Sequence, residues 1–277
     1  MRRRRLASQL RQLREQAGLT LEQVGARTDI AASTLSRIET AQIGAKPVNV
    51  RALLGLYGVT GADAGALIQL AREARRRGWW HSYSDVISAE YADYIALEAE
   101  AVAIYNYEAT IMPGLLQTSD YYQAIGRSEF YHEPDKPLSR RMEVRLRRQR
   151  RLQEYPRLRF HAILEESILR RVVGGADAMQ TQLHHICDIV RLENVTVQVI
   201  PERLGSHPGL LGGFSILTFE DQDHRPDVGY TDFIAGQVFL HHEEEVARCH
   251  ALFAYLRNVA FGTERSLELV ASVARSL

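Results

Sequence analysis

The chain has 277 residues, 45% hydrophobic and 25% charged, which is enough to bury two cores and fits two soluble globular domains. No uninterrupted apolar run approaches the roughly 18 residues of a membrane span, and Cys187 and Cys249 are too few and too distant for a disulfide framework or a four-cysteine zinc site. The zero net charge hides a division: residues 1–78 hold fourteen Lys/Arg against six Asp/Glu, an excess of eight, so the remainder carries a net charge of −8. Such a basic segment suits a polyanion or makes a well-solvated surface, and charge alone leaves both open.

The chain starts "MRRRRLASQLRQLRE", which turns to an amphipathic helix where a signal peptide would continue apolar, so cytoplasmic residence is expected. Leu6, Leu10, Leu13 and Ala17 make one helical stripe, and Gly18 permits a stop. Thr20 with Gln23 three residues on predicts a capping box at the start of a second short helix running to about Arg27. The turn 28–31 follows, with Asp29 expected in the left-handed region, and then a third helix from about Ala32 to Thr40. Leu35 and Ile38 face inward there, which leaves Ala32, Ser33, Ser36 and Arg37 outside, and Gly25 is expected where the second and third helices approach closely.

Two short helices joined by a tight turn form a helix-turn-helix unit. The segment "LRQLREQAGLTLEQVGARTDIAASTLSRIETAQ", followed by "PVNVRALLGLYGV", resembles the XRE family of transcriptional regulators over about Leu6 to Leu70. The resemblance implies an all-α N-terminal domain of five short helices that binds double-stranded DNA through its third helix. It places Ala32, Ser33, Ser36 and Arg37 at base edges or nearby backbone, and Thr20, Thr34 and the loop residue Lys46 at phosphates. It makes Glu39 structural. Two departures weaken the reading face: Ala31 stands where the family caps the helix with Ser or Thr, and Ala32 offers only a methyl group. Polar readout then rests on the serines and on Arg37, whose fork suits guanine.

The DNA-binding domain is expected over 1–78, ending in a basic linker helix with Arg75, Arg76 and Arg77 before Gly78 breaks it. Those arginines are either phosphate contacts or the solvated end of a helix. Trp79 and Trp80 read as packing residues, since no aromatic platform surrounds them.

Residues 79–277 read as an α+β domain with a small mixed sheet. Helical periodicity covers Ser88 to Tyr107, with Tyr94, Leu97, Ala101 and Ile104 on one stripe. Pro113 and Gly114 interrupt it, and Thr118 can cap a helix beginning near Asp120. A charged helix, Leu138 to Gln153, is expected to hold its arginines in solvent with Met142, Leu146 and Gln149 inward. Strands are expected from Leu158, Val195, Gly213 and Asp227, the last two antiparallel, with helices near 177–192, 244–258 and 265–276. The blocks "YIALEAEA", "IMPGLLQTSDYY", "RLRRQRRL", "ILEESILRRVVGG", "NVTVQVIP", "HPGLLGGFSILTF" and "ERSLELV" resemble a C-terminal domain of unknown function that accompanies XRE units in actinobacterial regulators, some of the WhiJ type and some toxin-antitoxin-like. That resemblance implies protein–protein interaction, and many such regulators are encoded beside a very small companion protein.

Little chemistry is written in the sequence. Glu165 and Glu166 sit together at a strand end, a common helix start. His184 and His185, like His241 and His242, are adjacent and diverge, and "HPGLLGGF" lacks the ending of a phosphate loop. A zinc site assembled by the fold from His161, His207, Cys249 or His250 stays open as a minor reading. The expected function is a sequence-specific DNA-binding regulator without catalytic residues, cofactor or metal, and without attachment to a membrane. Its C-terminal domain would form a homodimer, which multiplies half-site specificity, or bind a small partner protein. Two alternatives remain: an antitoxin-like interaction protein with autoregulatory DNA binding, and a small-molecule-sensing repressor whose pocket is lined by Pro113 to Tyr121 and Gly205 to Phe214.

Overall fold

The computed structural model describes residues 2–40, 43–74, 78–129, 138–220, 226–234 and 236–277. Arg75, Arg76 and Arg77 of the linker lie outside the described residues. The chain divides into two compact units, Met1–His81 and Ser82–Leu277.

The first unit is helical: α1 (Arg2–Gln16), α2 (Leu21–Thr28), α3 (Ala32–Glu39), α4 (Pro47–Leu56) and α5 (Gly61–Ala74). Local chemistry accounts for the boundaries. Gly18 takes φ 66° after α1, Thr20 and Gln23 form the complete capping box of α2, and Pro47 opens α4 at a position where its missing N–H costs nothing. One apolar stripe from each helix meets in a core of Leu6, Leu10, Val24, Leu35, Ile38, Val50, Leu53, Leu54 and Ala71.

The second unit is built on a six-stranded mixed sheet of β1 (Ala103–Glu108), β2 (Arg159–Glu165), β3 (Val195–Ile200), β4 (Phe214–Thr218), β5 (Val228–Phe233) and β6 (Gly236–Leu240), in the order β3-β2-β1-β4-β5-β6. The pairs β1–β2 and β2–β3 are parallel, whereas β1–β4, β4–β5 and β5–β6 are antiparallel. Its helices are α6 (Ala89–Glu100), α7 (Ser119–Glu129), α8 (Leu138–Gln149), the short α9 (Glu166–Arg170), α10 (Ala176–Ile189), α11 (Glu243–Val259) and α12 (Thr263–Ser276). Phe253 and Leu256 of α11 pack with Tyr107, Ile163, Phe214 and Ile216 of the sheet. Because strand residues alternate sides, Asn106, Glu108, Ser215 and Tyr230 then lie on the opposite face. Tyr94 of α6 reaches that face and meets Tyr230 with ring centroids 4.3 Å apart.

Two expectations are corrected. Helical structure does not run to Tyr107: α6 ends at Glu100, Ala101 turns extended (φ −67°, ψ 143°), and 103–108 is the strand β1, with pairing partners on both sides. The inward face of α8 is Arg141, Val144 and Arg148, while Leu146 is exposed. Arginines are tolerated inside because partners meet them there. Arg148 donates to both carboxylate oxygens of Glu98 at 2.8 and 2.6 Å and to the Tyr91 hydroxyl, and Arg141 Nε donates to the Val86 carbonyl at 2.9 Å. The edge strand β6 is an addition to the expected strands.

Candidate nucleic-acid interface

The α2–α3 turn is built from three local features. Asp29 adopts φ 56°, ψ 22°, the left-handed conformation that Asp accepts more readily than most residues. A Cβ on Gly25 would stand 2.9 Å from the Ile30 carbonyl oxygen, so glycine there allows the chain entering α3 to cross close to α2. Leu35 and Ile38 anchor α3 into the core, which leaves Ser33 and Arg37 exposed and Ala32, Ser36 and Thr34 half-buried.

The orientation of α3 is held from its C-terminal end. Arg14 of α1 grips Glu39 through two hydrogen bonds of 2.8 Å and donates a third, 2.9 Å, to the Leu19 carbonyl. The Glu39 carboxylate holds the Arg14 guanidinium above its usual range. This bidentate clamp ties α1, the turn before α2 and α3 together, which is a structural role for Glu39.

The residues expected at the interface therefore divide by geometry. Ser33, Ser36 and Arg37 are spaced at i, i+3 and i+4 and share one side of α3, with Ala32 beside them at its first turn. Thr34 sits on the flank, and its backbone N–H bonds to the Ala31 carbonyl at 2.8 Å. Lys46 is exposed immediately before α4. Thr20 is exposed, but its hydroxyl oxygen already accepts from the Gln23 N–H at 3.3 Å. Hydrogen bonds from its own N–H and from Thr20 hold the Glu22 carboxyl below the usual range, which sets a negative charge beside that threonine. The structure adds two exposed cations that the sequence had not singled out, Arg27 at the end of α2 and Arg51 on α4. Their signal was present only as charge.

Ala31 forms no side-chain cap on α3, and its carbonyl accepts from the Thr34 and Leu35 N–H groups at 2.8 and 3.0 Å. Ala31→Ser is expected to stabilise the first unit by about 1 kcal/mol. Differential scanning calorimetry of the full chain would show this as a rise in the transition assigned to that unit.

Elsewhere the groups considered for chemistry are engaged separately. Glu165 accepts from the Tyr107 hydroxyl at 2.8 Å and lies 3.1 Å from His207 Nε2, while Glu166 pairs with Arg170 at 2.6 Å. His161 meets Gln198, and His250 meets Asp227, each at 2.8 Å. Among the described residues no group of three or more His, Cys, Asp or Glu is placed to hold a metal, and no helix is long and apolar enough to cross a membrane.

The sequence matches the family model described as a helix-turn-helix domain over residues 5–67 and the one described as a domain of unknown function, DUF5753, over residues 91–272. No curated protein and no solved structure matches it. A helix-turn-helix domain points to a DNA-binding regulator rather than an enzyme.

Proposed function

This chain belongs to the DUF5753 family and carries a helix-turn-helix domain ahead of that region, and from this premise we propose that it is a sequence-specific, XRE-type transcriptional regulator. The observation that carries the proposal is the outward side of α3, with Ser33, Ser36 and Arg37 held in place by the Arg14–Glu39 clamp. In this reading α3 enters the major groove, Arg37 takes guanine, the serines take adjacent base edges or backbone, and the Ala32 methyl meets a thymine methyl. Thr34 and Lys46 contact phosphate, with Arg27 and Arg51 beside them. Thr20 can accept from the Gln23 N–H and donate to phosphate at once, so it keeps a phosphate role if its hydroxyl proton turns from the Glu22 carboxyl to the DNA.

A single α3 covers few base pairs, so the regulator works as a dimer or with a partner protein, and the second unit supplies that contact. What favours this is an apolar tip. Leu210 and Leu211 precede β4, Phe233 ends β5 and Ile234 follows it, and because these strands are antiparallel both segments leave the same end of the sheet, fully or largely exposed. A small companion protein at this tip would give the antitoxin-like form of the same reading.

Selection from random duplex DNA with the full chain, followed by titration at several salt concentrations, tests the proposal. An enriched motif is expected, with log affinity falling linearly with log salt at about 0.9 per neutralised phosphate. Absence of enrichment, or affinity flat in salt, overturns it.

A further inference from the structure

The second unit contains a cavity of about 600 Å³ between the sheet face opposite α11 and a roof formed by α6, α8 and the 3-10 turn Gly114–Leu116. That volume falls within the range of small-molecule sites. The register explains its floor. Asn106, Ser215 and Tyr230 stand in a row across β1, β4 and β5. One step further along, the same register sets Glu108, Gly213 and Asp232 in the next row. Gly213 contributes no side chain, and because a Cβ there would lie 2.8 Å from Glu108 Oε2, glycine is what lets the Glu108 carboxyl lie over β4 in the row it shares with Asp232.

The polar groups in and beside that row are short of donors. Glu108 is met by the Asn106 amide at 3.3 Å and by the like charge of Asp232. Asn106 and Gln117, 5% and 3% exposed, both line the cavity, and among the described residues their carbonyl oxygens Oδ1 and Oε1 have no hydrogen-bond partner. Of the nearby cations, Arg148 bonds to Glu98 and Arg141 to Val86, and Arg145 stacks over the Tyr122 ring at 4.4 Å, while Arg145 and Arg148 also act on Asp232 through their charge. Two acids and two orphaned acceptors lining one cavity call for a ligand that brings positive charge and several N–H donors.

We propose that this cavity binds a small organic amine, its ammonium group at the Glu108 and Asp232 carboxyls, and its apolar body against Ile111, Met112 and Tyr230. This deepens the small-molecule-sensing alternative, and it stands on the second unit alone, whether or not the first unit binds DNA. Both a free amino acid and a simple amine carry this head group. Arg145, on the wall of the cavity, is placed to tell them apart through a carboxylate.

The Glu108 carboxyl is raised to about 8 by burial and by Asp232, against the opposing pull of Asn106. The other ionisable groups facing the cavity are Asp85 before α6, Tyr91 and Tyr94 on α6, Arg141, Arg145 and Arg148 on α8, Tyr122 on α7, and Tyr230 on β5. An ammonium ligand pairs with the ionised carboxylate, so below pH 8 binding must expel a proton. Affinity is then expected to fall by roughly tenfold per pH unit as pH drops from 8, while an alkyl ammonium stays charged up to about pH 9. Since ionisation of Glu108 is disfavoured in the folded chain, it destabilises the fold as pH rises from the ordinary carboxylate range through 8, and Glu108→Gln should fold at least as well there.

The test is calorimetric titration of the full chain with tryptamine, tryptophan and the neutral alcohol tryptophol at pH 6, 7 and 8. The amines are expected to bind and the alcohol not to, with the pH slope above. Glu108→Gln should weaken the amines at least about tenfold and abolish the slope, and Asp232→Asn should weaken them less. Tryptophan binding more tightly than tryptamine would identify an amino acid as the source, and the reverse a simple amine. The proposal is overturned if neither amine binds at about millimolar concentration, if tryptophol binds as well, or if Glu108→Gln leaves affinity and slope unchanged.

Discussion

Arg148→Ala is expected to destabilise the second unit by about 3–5 kcal/mol, because it strands the Glu98 carboxylate inside the protein. The side chains of Arg148 and Glu98 are only 6% and 2% exposed, and the guanidinium also lies 5.3 and 5.2 Å from the ring centres of Tyr91 and Tyr94. For a unit of about 200 residues that loss corresponds to a fall in melting temperature on the order of 10 °C. The double variant Arg148→Met, Glu98→Leu separates the causes. If the stranded charge dominates, thermal melting should recover most of the stability, since a well-packed apolar pair costs little relative to a buried ion pair. Failure to recover would assign the effect to the lost stacking and the Tyr91 hydrogen bond instead.

Arg37→Ala is expected to weaken binding to the selected DNA motif by roughly tenfold to a hundredfold, the range of one bidentate guanine contact. The loss should be confined to sequences bearing that guanine, so discrimination against a substituted site drops along with affinity. Lys46→Ala provides the contrast. A phosphate contact carries no sequence information, so its removal should weaken all duplexes alike and reduce the salt slope by about 1. Equal behaviour of Arg37→Ala and wild type on matched and mismatched sites would remove Arg37 from base readout. The poverty of the rest of α3, with alanine at 31 and 32, is what concentrates so much on one arginine.

The first unit was legible because its features are local. A capping box needs Thr20 and Gln23 three residues apart, a left-handed Asp29 needs only its own side chain, and the inward turn of Leu35 and Ile38 follows from helical spacing. In the second unit the same kind of reasoning misassigned residues 101–107. A central strand with both faces covered carries no alternation of polar and apolar residues, so the spacing of Tyr94, Leu97, Ala101 and Ile104 simulated one continuous helical stripe. The turn to extended backbone at Ala101 becomes visible only once β2 and β4 pair on either side.

Arg148 and Glu108 mark the same boundary. By composition α8 is a charged helix whose arginines belong in water, and its inward side is chosen by a glutamate 50 positions earlier in the chain. Glu108 reads as an ordinary strand residue until β4 brings Gly213 alongside it and β5 brings Asp232. Local sequence pattern was enough to set where α2 and α3 begin and end to within a residue, which side chains α3 leaves outward, and that an α+β domain follows. Only the tertiary structure decided which arginines are buried and where a cavity opens, because those outcomes depend on groups far apart in the chain whose desolvation and pairing no local pattern records.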